Sequence, residues 1–124
     1  MEISITPSKH LDSIAPGTIK IVAMVDTGAE CTVVKPEVIR QLGIEPIDVI
    51  HIATPAHPPI LCYLYSAQLW FPGYSEGDYL GVSSEEIIEA PLEGLPIQCL
   101  IGRDILKHGL FIYNGEDQSF TLSF

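Results

Sequence analysis

The chain has 124 residues, of which 47% are hydrophobic and only 18% are charged. A chain of this length and composition is expected to fold into a single globular domain spanning residues 1–124 rather than to stay disordered. Sixteen acidic residues against six basic ones give a formal net charge of -10, which repels phosphate backbones and anionic membrane surfaces at long range. Composition therefore argues against nucleic acid and membranes as partners.

The cysteines and the first residues of the chain indicate the compartment. Cys31, Cys62 and Cys99 form neither a CxxC pair nor an even-numbered set, so we expect free thiols in a reducing environment. No basic segment followed by a long apolar run opens the chain, and no window approaches the roughly 18 apolar residues of a membrane span. The four histidines have no spacing typical of a metal site. We therefore expect a cytoplasmic protein that binds no metal.

Short apolar runs between turn residues predict a mainly β chain. Ten prolines and ten glycines separate apolar runs of about five to eight residues, as in strands joined by turns. Strands are predicted at residues 19–25, 31–34, 47–53, 60–71, 79–82, 86–90, 95–102, 110–113 and 119–124. Short helices are predicted at 36–43 and 103–109, because proline favours a first helical turn and Gly43 and Gly109 favour left-handed stops.

An aspartate lies between two of these apolar strands, in the segment Val25-Asp26-Thr27-Gly28-Ala29. A carboxylate in such a place must be desolvated unless it is hydrogen-bonded. Gly28 allows a tight turn beneath the carboxylate and can donate its N–H to it, and the Thr27 hydroxyl can bond across to a neighbouring loop. An ordinary turn remains the simpler interpretation of these residues alone, since Asp and Gly are common in turns.

A second segment, Leu100-Ile101-Gly102-Arg103-Asp104-Ile105-Leu106, follows about 75 residues later as an apolar strand, a glycine and a helix. Between the two segments lies a predicted long hairpin, whose strands at 47–53 and 60–71 are joined by Thr54–Pro59. This order of an Asp-Thr-Gly-Ala loop, a hairpin and a Gly-Arg-Asp helix resembles the retropepsins, the retroviral-type aspartic proteases. The resemblance runs from about Ile19 to the C-terminus. It implies a closed β-barrel-like acid protease half-domain with one or two short helices and a flap hairpin.

The resemblance assigns roles to the residues around Asp26. Asp26 looks like the catalytic aspartate. Thr27 resembles the residue whose hydroxyl locks two loops together, and Gly28 resembles the residue whose backbone contacts substrate. Glu30 resembles the acidic residue that pairs with the helical arginine, here Arg103, which gives these two a supporting role. We expect either a partly buried pair, whose disruption costs roughly 3–5 kcal/mol, or an ordinary surface pair.

Substrate contacts are implied on both sides of a cleft. By the resemblance, Ala29 lines the cleft beside the catalytic loop, and the flap tip within Thr54–Pro59 covers it. The tip residues expected to touch substrate are Thr54, Pro55, Ala56 and His57. Flaps of the family often carry several glycines, whereas this chain has none between Gly43 and Gly73.

The implied mechanism requires two carboxylates that share one proton, because like charges about 3 Å apart cannot both ionise. The chain has no second Asp-Thr-Gly or Asp-Ser-Gly, so the resemblance implies a homodimer in which a second copy supplies the other carboxylate. Such a dimer would activate water to cleave a peptide or protein substrate, with no cofactor. Retroviral relatives interleave their chain termini, and residues 120–124 form either such a strand or part of their own hairpin.

Two other interpretations remain open. A non-catalytic binding or assembly module with the same fold would carry both segments, if its proline-rich flap cannot close on substrate. A small β-barrel of unrelated function would require both motifs to be coincidental. Peptide cleavage that is lost in Asp26→Asn separates the first from a protease, and the fold itself tests the second.

Overall fold

The computed structural model describes residues 1–8, 18–54 and 57–124. Its strands are β1 (Glu2–Pro7), β2 (Ile19–Val25), β3 (Val33–Val34), β4 (Asp48–Thr54), β5 (His57–Pro72), β6 (Tyr79–Glu89), β7 (Cys99–Ile101), β8 (Leu110–Asn114) and β9 (Ser119–Ser123). Its helices are α1 (Pro36–Leu42) and α2 (Arg103–Leu106). The protein is mainly β, as the sequence predicted.

Six strands close into a barrel. They are hydrogen-bonded in the order β1-β2-β7-β3-β6-β5, and β5 pairs with β1 to complete the ring. The β2–β7 and β3–β6 pairs are parallel, whereas the other pairs of the ring are antiparallel. Closure removes the free sheet edges that an open sheet would expose. The predicted closed barrel is confirmed.

Strand β4 lies outside the ring and pairs only with the first part of β5 among the described strands. The antiparallel register runs from Asp48 opposite Leu64 to Thr54 opposite His57. The two strands therefore extend closer to the tip than predicted, since β5 begins at His57 and not at Ile60. The flap hairpin that the sequence predicted is present.

Side chains that alternate along the strands build the barrel core. On β2, Ile21 and Ala23 are each 2% exposed, whereas Val22 and Met24 face outward at 42% and 45% exposure. This period of two is that of a strand with one buried face. The largest fully buried hydrophobic side chains are Ile3, Ile5, Ile21, Val34, Leu69, Ile87, Cys99, Ile101 and Ile105.

Strand β1 was not predicted, although apolar and polar residues alternate from Glu2 to Thr6. Its polar residues Ser4 and Thr6 are buried together with Ile3 and Ile5, so both faces of the strand are covered. Trp70 on β5 donates a 2.9 Å hydrogen bond from its indole Nε1 to Thr6 Oγ1. Because a buried indole N–H needs an acceptor, Thr6 is the polar residue that allows β5 to close against β1.

Helix α1 forms where the sequence predicted it. Pro36 stands in its first turn, and Gly43 ends it with a left-handed φ of 65°. Val38 and Ile39 are each 4% exposed and attach the helix to the core. A proline start and a glycine stop were sufficient local signals for this element.

Helix α2 is a single turn that ends at Leu106, shorter than the predicted 103–109. Gly109 does not have the left-handed φ expected of a helix stop. A Cβ atom on Gly109 would lie 2.4 Å from the carbonyl oxygen of Ser123, so this glycine permits the close approach of β9. Neither helix of the described chain has the length and apolar character that a membrane crossing requires.

Strand β6 is continuous, and the prediction of two strands at 79–82 and 86–90 was wrong. The β5–β6 register shifts between Tyr65 and Ala67, which is the irregularity of a β-bulge. Residues 83–85, which separated the two predicted strands, belong to the strand, and Ser84 among them is 6% exposed. The predicted strand at 95–102 was too long, because only the three residues of β7, Cys99–Ile101, pair with neighbouring strands.

Candidate active site

Asp26 directly follows β2, at the point where the chain turns out of the barrel. Its backbone N–H donates a 2.9 Å hydrogen bond to Ile101 O at the end of β7, and its carbonyl accepts one of 3.1 Å from Ala29 N. One carboxylate oxygen, Oδ1, accepts a 3.0 Å hydrogen bond from Gly28 N. The segment is thus a turn closed by an aspartate side chain, and the turn holds a half-buried carboxylate in one orientation.

Gly28 lies close beneath the Asp26 carboxylate. A Cβ atom at this position would lie 3.3 Å from Asp26 Oδ1, a tight contact that the carboxylate would have to relieve by a small shift. The absence of a side chain leaves that carboxylate oxygen accessible to the N–H of Gly28 itself. The neighbouring Thr27 is exposed, and within the described residues its hydroxyl makes no hydrogen bond.

The segment that begins at Gly102 runs alongside the Asp26 loop and is hydrogen-bonded to it. Arg103 N donates to Ala29 O at 2.9 Å, and Asp104 N donates to Glu30 O at 3.1 Å. A Cβ atom on Gly102 would lie 2.6 Å from the carbonyl carbon and oxygen of Cys31 and 3.0 Å from Ala29 O. The two motifs of the sequence therefore form one unit, in which the second supports the backbone of the first.

Arg103 holds the loop chiefly through a backbone carbonyl. Its Nη1 donates a 2.9 Å hydrogen bond to Thr27 O, whereas its Nη2 lies 3.8 Å from Glu30 Oε1. The side chains of Arg103 and Glu30 are 51% and 85% exposed. A partly buried Arg103–Glu30 pair, one of the two expected forms, is not present; the other form, an ordinary surface pair, describes what is found.

Sequence reasoning missed a buried polar cluster beneath this loop. Asp104 is 3% exposed, and its carboxylate accepts hydrogen bonds from Thr32 Oγ1 at 2.7 Å and from Ser84 Oγ at 2.5 Å. Gly102 N in turn donates to Thr32 Oγ1 at 3.1 Å. The only sequence signal was an acidic residue beside apolar ones in the second motif, and nothing local indicated Ser84.

A groove of about 580 Å³ runs beside the Asp26 loop. Its lining includes Glu30, Cys31 and Arg103, together with Ile50 and Leu64 of the β4–β5 hairpin. The groove is thus shared by the end of the loop and the hairpin, and Asp26 itself is not among its lining residues. Among the described residues, no three His, Cys, Asp or Glu side chains converge as they would around a metal ion.

The surroundings of the Cys31 thiol in this groove shift its pKa. Its pKa is raised above 9.0, first by burial and then by the negative charges of Asp104, Glu86 and Glu30. Both effects disfavour the thiolate. Cys31, like Cys62 and Cys99, is a free thiol, as expected.

The flap residues assigned by resemblance lie at and beyond the last described pair of the hairpin. Thr54 and His57 pair across the β4–β5 ladder, and Pro55 and Ala56 fall outside the described residues. Ala29 is half-buried in the loop itself. The structure thus brings Asp26, Thr27, Gly28, Ala29, Glu30 and Arg103 into one cluster, with the flap hairpin across the groove.

Comparison with known proteins identifies the architecture. No family model and no curated protein matches the chain. Among solved structures, it is similar to the retroviral protease-like domain of Ddi1 from Leishmania major, with a TM-score of 0.51 and 14% identity over 98% of this chain and 86% of that chain. The fold is retropepsin-like. At 14% identity the similarity shows the fold alone. The roles of individual residues of this retropepsin-like chain therefore have to be argued from their geometry.

Proposed function

We propose that this protein is an aspartic endopeptidase that is active as a homodimer, each copy contributing one Asp26. The observation that carries the proposal is the fixed carboxylate of Asp26. It is held by Gly28 N at 3.0 Å, on a loop that the Gly102–Asp104 segment supports from below. The β4–β5 hairpin lies near this loop, since Ile50 and Leu64 line one groove together with Glu30 and Cys31.

The requirement for two copies follows from the chemistry. A water molecule must lose a proton while the scissile carbonyl gains one, and two adjacent carboxylates that share a proton perform both tasks. One Asp26 is the general base, and the protonated Asp26 of the second copy donates a hydrogen bond to the carbonyl oxygen. Peptide hydrolysis by this route needs no cofactor.

The hairpin formed by β8 and β9 supports self-association. None of its ten strand residues carries a charge, although the chain as a whole has a net charge of -10. Its exposed large hydrophobic side chains are Leu110, Ile112, Tyr113 and Phe120. A two-stranded hairpin is marginal in water by itself, and two acidic chains meet most favourably through an uncharged surface. This hairpin is the surface through which we expect the two copies to associate.

The exposed hydroxyl of Thr27 is consistent with the same arrangement. It lies next to Asp26 and makes no hydrogen bond within the described residues, while the Thr27 carbonyl is bound by Arg103. In a dimer whose Asp26 side chains meet, the two Thr27 residues are also brought together. Their hydroxyls are then available to join the two loops.

Peptide-library cleavage tests the proposal. Wild-type protein is expected to cleave, with a bell-shaped dependence on pH because the carboxylate pair titrates as a unit. Asp26→Asn is expected to abolish cleavage with an unchanged fold. Asp78→Asn, an equivalent substitution in the loop between β5 and β6, is the matched control and is expected to keep full activity.

The alternative is a non-catalytic binding or assembly module with the same fold. It predicts a library that stays uncleaved by wild-type protein from acidic to neutral pH, even when the protein is dimeric. Cleavage that persists in Asp26→Asn would instead point to a contaminating protease and would refute the role of Asp26.

A further inference from the structure

The buried carboxylate of Asp104 has an unusual environment. It is 3% exposed, and no Lys, Arg or His of the described residues forms an ion pair with it. Its two oxygens accept hydrogen bonds from two hydroxyls, Thr32 Oγ1 on Oδ1 and Ser84 Oγ on Oδ2. Because a buried charge is costly unless it is well hydrogen-bonded, the site demands a reason for a carboxylate over an amide.

Both hydroxyls donate to this carboxylate while each also accepts a backbone hydrogen bond. Thr32 Oγ1 accepts the N–H of Gly102 at 3.1 Å, and Ser84 Oγ accepts the N–H of Glu86 at 3.0 Å. The single proton of each hydroxyl is directed to a different oxygen of Asp104, so that both oxygens serve as acceptors. A carboxylate has two and an amide has one, and hydrogen bonds to a carboxylate are the stronger kind.

The cluster connects two parts of the molecule that bear the candidate site. Thr32 ends the loop that begins at Asp26, and Asp104 N is hydrogen-bonded to Glu30 O of that loop. Ser84 belongs to β6 and lies opposite Ala67 of β5, the strand that continues into the flap hairpin. The hydrogen bonds of Asp104 are therefore a direct link between the catalytic loop and the ribbon that carries the flap.

We propose that Asp104 is a positioning residue that fixes the Asp26 loop relative to the flap-bearing strands β5 and β6, through Thr32 on one side and Ser84 on the other. The inference rests on the proposed function, because the position of the Asp26 loop relative to the flap matters most when a peptide lies between them. Displacement of a catalytic group by about 1 Å costs on the order of a hundredfold in rate. Loss of one hydroxyl bond is expected to loosen the loop without unfolding the barrel.

The decisive comparison is between two neighbouring serines. Ser84→Ala removes the hydroxyl that reaches Asp104, whereas Ser83→Ala makes the same change on the exposed face of the same strand. Ser84→Ala is expected to lower kcat about tenfold or more with KM changed less than about twofold, and Ser83→Ala is expected to match wild type. Rates are expressed per active site, counted by titration with a statine-containing peptide inhibitor.

Two further variants test the direction of the hydrogen bonds. Thr32→Val keeps the shape of the side chain and removes its donor, and Asp104→Asn removes one of the two acceptors. Both are expected to lower kcat at least as much as Ser84→Ala does. An Asp104→Asn protein with wild-type kcat and KM would overturn the two-acceptor argument. If Asp104→Asn fails to fold, Ser84→Ala still decides the proposal.

Backbone hydrogen exchange provides a readout that does not depend on activity. In Ser84→Ala, amides of residues 26–32 and 102–104 are expected to exchange faster, while the core of β1 and β2 stays as protected as in wild type. Exchange rates and kcat per site equal to those of Ser83→Ala would overturn the positioning role. If wild-type protein cleaves nothing, the proposed function fails, and faster exchange confined to these two segments still supports the link through Asp104.

Discussion

The guanidinium Nη1 of Arg103 donates a 2.9 Å hydrogen bond to the carbonyl oxygen of Thr27, although 76 residues separate the two in sequence. Thr27 directly follows Asp26, so this bond supports the backbone of the candidate catalytic residue. The nearby Glu30 carboxylate lies 3.8 Å from Arg103 Nη2, a longer and more exposed contact. The arginine therefore contributes to the site through geometry more than through charge pairing.

Removal of the arginine is expected to harm the protein more than removal of its acidic neighbour. Arg103→Ala loses the bond to Thr27 O and is expected to lower the free energy of unfolding by about 1–2 kcal/mol. Its cleavage rate is expected to fall more than that of Glu30→Gln. Glu30→Gln is expected to change stability by less than about 1 kcal/mol, because exposed ion pairs contribute little. Urea denaturation of both variants checks this, and equal losses would contradict it.

Gly102 is expected to tolerate no side chain. A Cβ atom there would lie 2.6 Å from the Cys31 backbone, so Gly102→Ala must displace the Asp26 loop and is expected to cost at least about 2 kcal/mol and most of the activity. Gly115→Ala is the control, since its Cβ would have no neighbour closer than 3.5 Å. Thermal denaturation and peptide cleavage are measured for both variants. A stable and active Gly102→Ala protein would show that the Asp26 loop can shift to accommodate the added methyl group.

Tyr65 is expected to destabilise the fold at alkaline pH. Burial, with the hydrogen bond to Glu89, raises its pKa from 10.0 to about 12. The folded protein therefore holds the phenol proton more tightly than the unfolded chain does. That contribution to stability is fully present below pH 10 and is lost as the pH rises through about 12.

Denaturation of wild type and Tyr65→Phe over this alkaline range measures the effect. Tyr65→Phe is expected to lose about 1 kcal/mol at neutral pH and to show a weaker decline of stability above pH 10. Tyr74→Phe, at a fully exposed tyrosine in the loop after β5, serves as the control and is expected to decline as wild type does. Identical alkaline profiles for all three proteins would refute the contribution of Tyr65.

A charge in the C-terminal hairpin is expected to separate the two copies. Ile112 is 52% exposed on β8, and Ile112→Glu introduces a negative charge into an otherwise uncharged surface. The dimer dissociation constant is expected to rise at least about tenfold, with cleavage falling in parallel. Tyr74→Glu, at a fully exposed position in the loop after β5, should leave association unchanged. Sedimentation equilibrium measures both, and equal dissociation constants would assign the interface elsewhere.

Local sequence signals predicted the elements that are determined locally. Pro36 and Gly43 bracket α1. The apolar run at 19–25 became β2 with the predicted bounds. The Asp26 turn was also foreseen down to the donation from Gly28 N, because the residue types involved leave few other conformations.

Features that depend on distant partners could not be predicted in this way. Thr6 is buried because Trp70, 64 residues later, needs an acceptor, and no periodicity within β1 reveals that need. Likewise, Thr32 and Ser84 lie 72 and 20 residues from Asp104, so that each taken alone is an ordinary polar residue. The Arg103–Glu30 pair was predicted as a contact, but its exposure depends on packing that the sequence does not specify.

The parallel pairing of β2 with β7 has a consequence for the order of assembly. Asp26 leaves β2 beside Ile101, and its supporting bonds come from residues 101–104, which are synthesised long after the loop itself. A growing chain that ends before Ile101 contains Asp26 but lacks every one of these supports. Contacts of such wide sequence separation also form late in refolding. The Asp26 loop therefore gains these supports only after residues 101–104 have been synthesised, whereas the bond from Gly28 N to the Asp26 carboxylate is local and needs no distant residue.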